Sequence, residues 1–177
     1  MKRAINAQTP LGDDLMFSAL SGREEMSRLF DFTLEFRSPK PSIPVKALLG
    51  QSITVDMRLQ NGAKRFLNAQ CSHFHATGKS GRYYVYEARL RPWLWYATRR
   101  SDYKIFQGMS VPEIILDVLG KYPFPIKNKL SASYRKWDYN VQYRETDFNY
   151  VSRLMEHEGI YYYFEHESGE HSLVLCD

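Results

Sequence analysis

Residues 30–37, Phe-Asp-Phe-Thr-Leu-Glu-Phe-Arg, alternate apolar and polar side chains without a break. Phe30, Phe32, Leu34 and Phe36 fall on one side, and Asp31, Thr33, Glu35 and Arg37 on the other. Only an extended chain has a period of two, so this segment is a strand with one buried face. The pattern returns over residues 52–60. Ile53, Val55, Met57 and Leu59 alternate there with Thr54, Asp56 and Arg58. Asn61-Gly62 follows at once, a pair that takes the positive φ angles of a tight hairpin. A third strand is expected over about Arg65–Ala76. A turn at Thr77–Gly81 and a fourth strand over Tyr83–Leu90 follow it.

Short helical pieces interrupt this β-rich part. Ser21-Gly22-Arg23-Glu24 has capping-box spacing, and Pro44–Leu49, closed by Gly50, reads as one or two helical turns. The second part changes character. Ser110 and Glu113 form a second capping box, and Ile114, Ile115, Val118, Leu119 and Tyr122 follow at helical spacing. Residues 123–137 read as a loop, and about Tyr139–Tyr143 as a strand. Thr146 is the expected N-cap of a helix carrying Phe148, Val151, Leu154 and Met155, with Gly159 as its stop. Residues 160–166 and 171–175 read as a closing hairpin. The expected core centres on Phe32, Leu34, Ile53, Val55, Met57, Trp95, Phe148 and Leu154.

The 177 residues suit one domain, or one large domain with an appendage. An apolar fraction of 44% excludes a disordered chain. No apolar run approaches the ~20 residues that span a bilayer. Met1-Lys2-Arg3 carries charge with no apolar run behind it, unlike a secretory leader. Asp177 directly follows a strand, which reads as a boundary inside a longer protein. Twenty-four basic against twenty acidic residues give only +4, too little to imply nucleic acid unless clustered on one face. Cys71 and Cys176 are too few for a disulfide framework and are expected as free thiols.

No stretch carries a complete catalytic pattern. His73 and His75 share a strand face, but a zinc site needs a third ligand, and none is spaced to supply it. His166 and His171 are five apart on a turn, whereas the zinc-protease helix needs a spacing of four. His157-Glu158 has Tyr161 where the second histidine would stand. Gly78-Lys79-Ser80 resembles the end of a phosphate loop, but a strand rather than a helix follows it. The acid pairs Glu24/Glu25, Glu156/Glu158 and Glu165/Glu167 read as solvated surface. Arg82–Arg100 interleaves bases with aromatics in the manner of single-strand binders. Tyr84, Tyr86, Ala88 and Leu90 share one face there, which favours a packed strand. No metal, cofactor or catalytic residue is expected.

Three long segments carry a resemblance: PLGDDLMFSALSGREEMSRLFDFTLEF (Pro10–Phe36), LRPWLWYATRR with IFQGMSVPEIILDVL (Leu90–Arg100, Ile105–Leu119), and VQYRETDFNYVSRLMEHEGIYYYF (Val141–Phe164). In this order they resemble the N-terminal region of the VgrG family, the spike proteins of type VI secretion, similar to phage-tail hubs. The resemblance implies a mainly β fold with inserted helices (α+β), a phage-hub-like β-barrel that is part of a larger hub. It implies a first barrel over 1–97, then a helical insertion and the opening strands of a second hub part over 98–177. It further implies a homotrimer in the full-length protein, adapting the hexameric Hcp tube to a trimeric needle. A PAAR-type tip cap or effectors, carried by regions absent here, and baseplate components are the other implied partners. Such spikes assemble in the cytoplasm and leave through the type VI machine without a signal peptide. The competing readings are a nucleic-acid-binding barrel and a hub with a hydrolase extension beyond Asp177.

Overall fold

The computed structural model describes residues 4–177; Met1–Arg3, the charged start read above, lie outside the described residues. Strand accounts for 49% of the described residues and helix for 20%, so the fold is mainly β with inserted helices. Two compact units form. The first comprises the chain up to Glu25, Leu29–Pro92 and Glu165–His171; the second comprises Met26–Arg28, Trp93–Phe164 and Ser172–Asp177.

The first unit is one six-stranded sheet. Its strands are β1 (Ile5–Gln8), β2 (Met16–Arg23), β3 (Asp31–Ser38), β4 (Ser52–Arg58), β5 (Lys64–Ser80) and β6 (Tyr83–Arg91). Their spatial order is β1-β4-β5-β6-β3-β2. Every neighbouring pair is antiparallel. β1 and β2 are the two edges, so the sheet curls into a half-barrel rather than closing.

The alternation in β3 sets the register. Phe32, Leu34 and Phe36 are buried, and they pair with Leu90, Ala88 and Tyr86 of β6. Ile53 and Val55 of β4 are buried, while Met57 is half-buried where the sheet frays toward the hairpin. The hairpin turns at Gly62, with φ of +82°, and Asn61 Oδ1 accepts the Ala63 N–H at 3.0 Å.

Several local expectations give way to sheet pairing. Ser21-Gly22-Arg23-Glu24 caps no helix, because residues up to Arg23 belong to β2. Gly22 lies opposite Phe32, and a Cβ there would collide with the Phe32 ring and the Asp31 carbonyl. That close approach is what the glycine is for. β5 runs to Ser80, so the turn read at Thr77–Gly81 tightens to the connection between Ser80 and Tyr83. Pro44–Leu49 contains a single 3₁₀ turn at Val45–Ala47.

The second unit opens with a 3₁₀ helix, Trp93–Arg99, not foreseen from the sequence. Then come β7 (Ser101–Phe106), β8 (Met109–Ser110), α1 (Val111–Leu119), β9 (Ile126–Asn128), β10 (Lys136–Trp137), β11 (Asn140–Thr146), α2 (Asp147–Glu158), β12 (Tyr161–His166) and β13 (His171–Cys176). The stretch 123–137 therefore holds two short strands rather than a plain loop. β7 pairs with β11 and β8 with β10; β13 lies between β12 and β9, parallel to β9.

The core of this unit joins the apolar sides of α1 and α2. Val111, Ile114, Ile115, Val118, Leu119, Tyr150, Val151, Leu154 and Met155 are buried. Trp93 stacks on Phe124 with centroids 5.4 Å apart. Trp95 and Phe148 are half-buried. Both helices start as their caps dictate. The Glu113 carboxylate accepts the Ser110 N–H at 2.7 Å and the Ser110 hydroxyl at 2.9 Å. Thr146 Oγ1 accepts the Asn149 N–H at 3.1 Å. Gly159 ends α2 in the left-handed region, with φ of +73°.

Candidate functional site

Polar chemistry concentrates in two buried clusters, one in each unit. In the first unit the tip of the closing hairpin, residues 165–171, is held by Asn68 of β5. Asn68 Nδ2 donates to Ser52 Oγ at 2.7 Å and to Thr54 Oγ1 at 2.8 Å. The amide orientation then leaves Oδ1 as the acceptor, so His171 Nδ1 carries the proton it shares with Asn68 at 2.8 Å. Gly169 closes the set. Its N–H donates to Thr54 Oγ1 at 3.2 Å, and its carbonyl accepts the Ser52 hydroxyl at 3.1 Å.

His166 sits beside this group. His166 Nδ1 lies 3.0 Å from both the N–H and the carbonyl oxygen of Asn68, and its Nε2 lies 2.9 Å from Glu24 Oε1. Phe30 covers both rings, with centroids 5.2 Å from His166 and 5.7 Å from His171. Burial, reinforced by the neighbouring His166, pushes His171 down to about 3, so it is neutral at ordinary pH.

The second cluster surrounds Asp147, the buried first residue of α2. Its carboxylate accepts from Tyr122 OH and from Gln142 Nε2, each at 2.8 Å. The Arg100 guanidinium lies 4.0 Å away, and the Asp147 N–H donates to the Arg100 carbonyl at 2.9 Å. Burial, and then the bond to Asp147, raises the Tyr122 hydroxyl well above the usual phenol range. A carboxylate at a helix start also meets the favourable end of the helix dipole.

The remaining candidates are not brought together. His73 and His75 are exposed on β5, opposite Arg89 and Glu87. Among the described residues no group of three or more His, Cys, Asp or Glu is placed to hold a metal ion. Cys71 is buried and Cys176 partly so; both are free thiols, and burial pushes Cys71 up to about 11. Within the basic and aromatic stretch, Tyr86, Ala88 and Leu90 are core, and Arg89 forks onto Asp31 at 2.9 and 3.0 Å. Glu24 faces His166 and Glu158 accepts from Trp137 Nε1 at 3.3 Å.

Sequence reasoning missed both clusters. Bonded partners in the first cluster are 14 to 142 positions apart; Glu24, His166 and His171 stand out in the sequence only for a helix cap and a zinc motif, and Asp147 only for its place next to the Thr146 cap. One signal was present: Asn68 and Gln70 occupy a strand where apolar residues would be expected.

The comparisons agree on the family. The model of the phage tail baseplate hub (GPD) family matches residues 23–177. The type VI secretion system spike proteins VgrG1c and VgrG1a of Pseudomonas aeruginosa are 45% identical over 177 residues and 43% identical over 179. These alignments take in 99% and 100% of this chain but 24% and 28% of the relatives. The chain thus spans about a quarter of their length. Among solved structures, an Escherichia coli component of the type VI secretion system, described as similar to the T4 tail proteins gp27 and gp5, superposes with a TM-score of 0.80 at 25% identity. That match covers 93% of this chain and 46% of the other. The fold alone is shared with a prophage MuSo2 tail protein of Shewanella oneidensis, with a TM-score of 0.67 at 15% identity over 96% of this chain and 52% of the other. The chain belongs to the phage tail baseplate hub family, and the relatives it matches over its whole length are VgrG-type spike proteins.

Proposed function

We propose that this chain is a non-catalytic hub segment of a type VI secretion spike. In the complete protein it would help adapt the hexameric Hcp tube to a trimeric needle. The observation that carries this reading is how the buried polar groups are used. Asn68, His166, His171, Ser52 and Thr54 bond to one another and to the sheet. Asp147, Tyr122 and Gln142 bond together likewise. A catalytic constellation needs a nucleophile or base directed at an open site; here these groups are spent on holding the fold.

In the assembly, interfaces rather than reacting side chains do the work. A trimer offers three equal positions, or six when each chain carries two similar barrels, and the second arrangement matches a sixfold ring. The homotrimer, the tip cap or effectors, the baseplate contacts and release through the type VI machine belong to this proposal. The test is sedimentation of the chain with purified Hcp hexamers. Comigration that rises with concentration supports the hub. No comigration, together with salt-sensitive binding of single-stranded DNA, would instead mark a nucleic-acid module.

A further inference from the structure

Ser152, Met155 and Glu156 stand at i, i+3 and i+4 on α2, so their side chains share one face of the helix. Tyr162 is an inward position of β12, buried like Phe164 two residues on, while Tyr161 between α2 and Tyr162 is exposed. With Ile160 and Ser27, the three helix residues and Tyr162 line a recess of about 30 Å³. All of these residues belong to the second unit.

Two hydroxyls of the lining are buried with no group of the protein to bond. Tyr162 is only 2% exposed, and its hydroxyl has no hydrogen-bond partner among the described residues; the buried Ser152 Oγ has none either. A serine inside a helix ordinarily turns its hydroxyl onto the carbonyl three or four residues back. A buried tyrosine ordinarily finds a partner for its O–H. Burial raises the Tyr162 hydroxyl above the usual phenol range, with Arg28 acting the other way, so it keeps its proton at ordinary pH.

Ser27 brings a third hydroxyl. It lies in the short strap between β2 and β3, with φ of +55°. A residue with a Cβ stays in that conformation only where its surroundings hold it. The hold comes from β12: Ser27 N–H donates to the Tyr162 carbonyl at 2.8 Å, and Ser27 Oγ accepts the Tyr162 N–H at 3.3 Å. The Ser27 O–H proton is left to be given. Ser27 and Glu156 are exposed and form the outer side of the recess; Met155 and Ile160 are buried and form its apolar wall.

The volume decides the ligand. About 30 Å³ exceeds the ~10–15 Å³ that admits a water and is far below the roughly 300–1,000 Å³ of a small-molecule pocket. An ordered water needs two to four polar partners, and three hydroxyls line this recess. We propose that the recess is a binding site for one ordered water, which accepts from Tyr162 O–H and Ser27 O–H and donates to Ser152 Oγ, joining the strap, β12 and α2. Holding one water there costs little beside leaving two buried hydroxyls unpaired. The site goes beyond the hub reading and does not depend on it.

The test joins direct detection to a thermodynamic cycle on the 177-residue chain. Water-selective NOE spectra with labelled methionine and isoleucine methyl groups detect water beside Met155 and Ile160. A slowly exchanging water is expected there in the parent and is expected to be lost in the double variant Ser152→Ala/Tyr162→Phe. Urea unfolding of the parent, both single variants and the double variant completes the cycle. Tyr162→Phe is expected to lower the folding equilibrium constant about fivefold, because it removes a bonded hydroxyl. The double variant is expected to fall about fivefold short of the product of the two single effects, since one bridge can be lost only once. The higher helix propensity of alanine over serine cancels in the cycle. No slowly exchanging water at the Met155 and Ile160 methyls of the parent would overturn the site. A Tyr162→Phe variant as stable as the parent, or more so, would mean that the hydroxyl had no partner to lose, and would overturn it as well. Single effects that multiply without coupling would show two hydroxyls sharing no ligand, with the same consequence.

Discussion

His171 and Asn68 share one proton at 2.8 Å inside the first unit, 103 residues apart in sequence. His171 is depressed to about 3 from an ordinary value of 6.5, by burial and then by His166. The unfolded chain therefore binds a proton at this histidine between about pH 6.5 and 3, whereas the folded chain does not. Stability contributed by this group is fully present above pH 6.5 and falls as pH drops through that window. The slope approaches roughly 1.4 kcal/mol per pH unit at its steepest. Urea unfolding from pH 8 to pH 4 measures it. His171→Gln, which keeps a hydrogen-bond donor without the titration, is expected to flatten the profile; an equally steep profile would assign the pH dependence elsewhere.

Asn68 is the centre of that cluster, bonding Ser52, Thr54 and His171 at once. Asn68→Leu fits the strand but removes the Asn68 bond of the buried His171 and one hydrogen bond each from Ser52 and Thr54, which keep their bonds to Gly169. Each buried polar group left without a partner costs about 1–3 kcal/mol. The variant is expected to unfold at clearly lower urea with an unchanged m-value.

These two residues also explain what was legible beforehand. The Phe30–Phe36 alternation could be read because β3 has one buried face, and its register partners in β6 are equally regular. β5 could not be read well. Leu67, Asn68, Ala69, Gln70 and Cys71 are all buried, so both faces are covered and the period of two disappears. Its polar members are tolerated because the hairpin tip, about a hundred residues later, satisfies Asn68. Pairing at that separation leaves no local trace. The capping boxes show both outcomes. Ser110 and Thr146 lead into apolar residues at helical spacing and cap helices; Ser21 has the same local pattern, but its strand pairs with β3. Trp93–Arg99 coils into a 3₁₀ helix because Trp93, Leu94 and Ala97 are all buried, a tertiary preference no propensity encodes.

Phe32 stacks on Phe30 at 4.7 Å and packs beside Gly22. Phe32→Ala is expected to cost roughly 3–5 kcal/mol, since it removes buried surface and leaves a cavity. Gly22→Ala places a methyl group into the Phe32 ring and is expected to destabilise the parent. In a Phe32→Ala background the same change is expected to cost less, because the ring is gone. The double-mutant cycle measures that coupling, and strict additivity would show the two sites independent.

Ser110 and Thr146 hold the starts of α1 and α2. Ser110→Ala and Thr146→Ala are each expected to cost about 0.5–2 kcal/mol in chemical denaturation. Thr146→Ala removes the acceptor for Asn149 N–H, so faster hydrogen exchange at Asn149 accompanies it. Unchanged stability in both variants would place the control of these helix starts in packing alone.

The 177-residue chain alone is expected to be mostly monomeric at micromolar concentration. Association first costs an estimated 4–15 kcal/mol in lost translational and rotational freedom, before any contact is counted. The P. aeruginosa relatives are far longer, this chain spanning 24–28% of them. In a protein of that length, contacts made by the other three quarters would act in parallel with those of the hub. Linked contacts of that kind raise overall affinity by roughly 10²–10⁴ over single sites. Without them, the exposed Tyr103, Ile105 and Tyr143 of β7 and β11 offer one modest apolar surface. Light scattering coupled to size exclusion is expected to give the 20.8 kDa mass of one chain. A stable threefold mass at micromolar loading would show that these residues drive trimerisation themselves, and would shift the search for the trimer interface to the unpaired edges of β1 and β2.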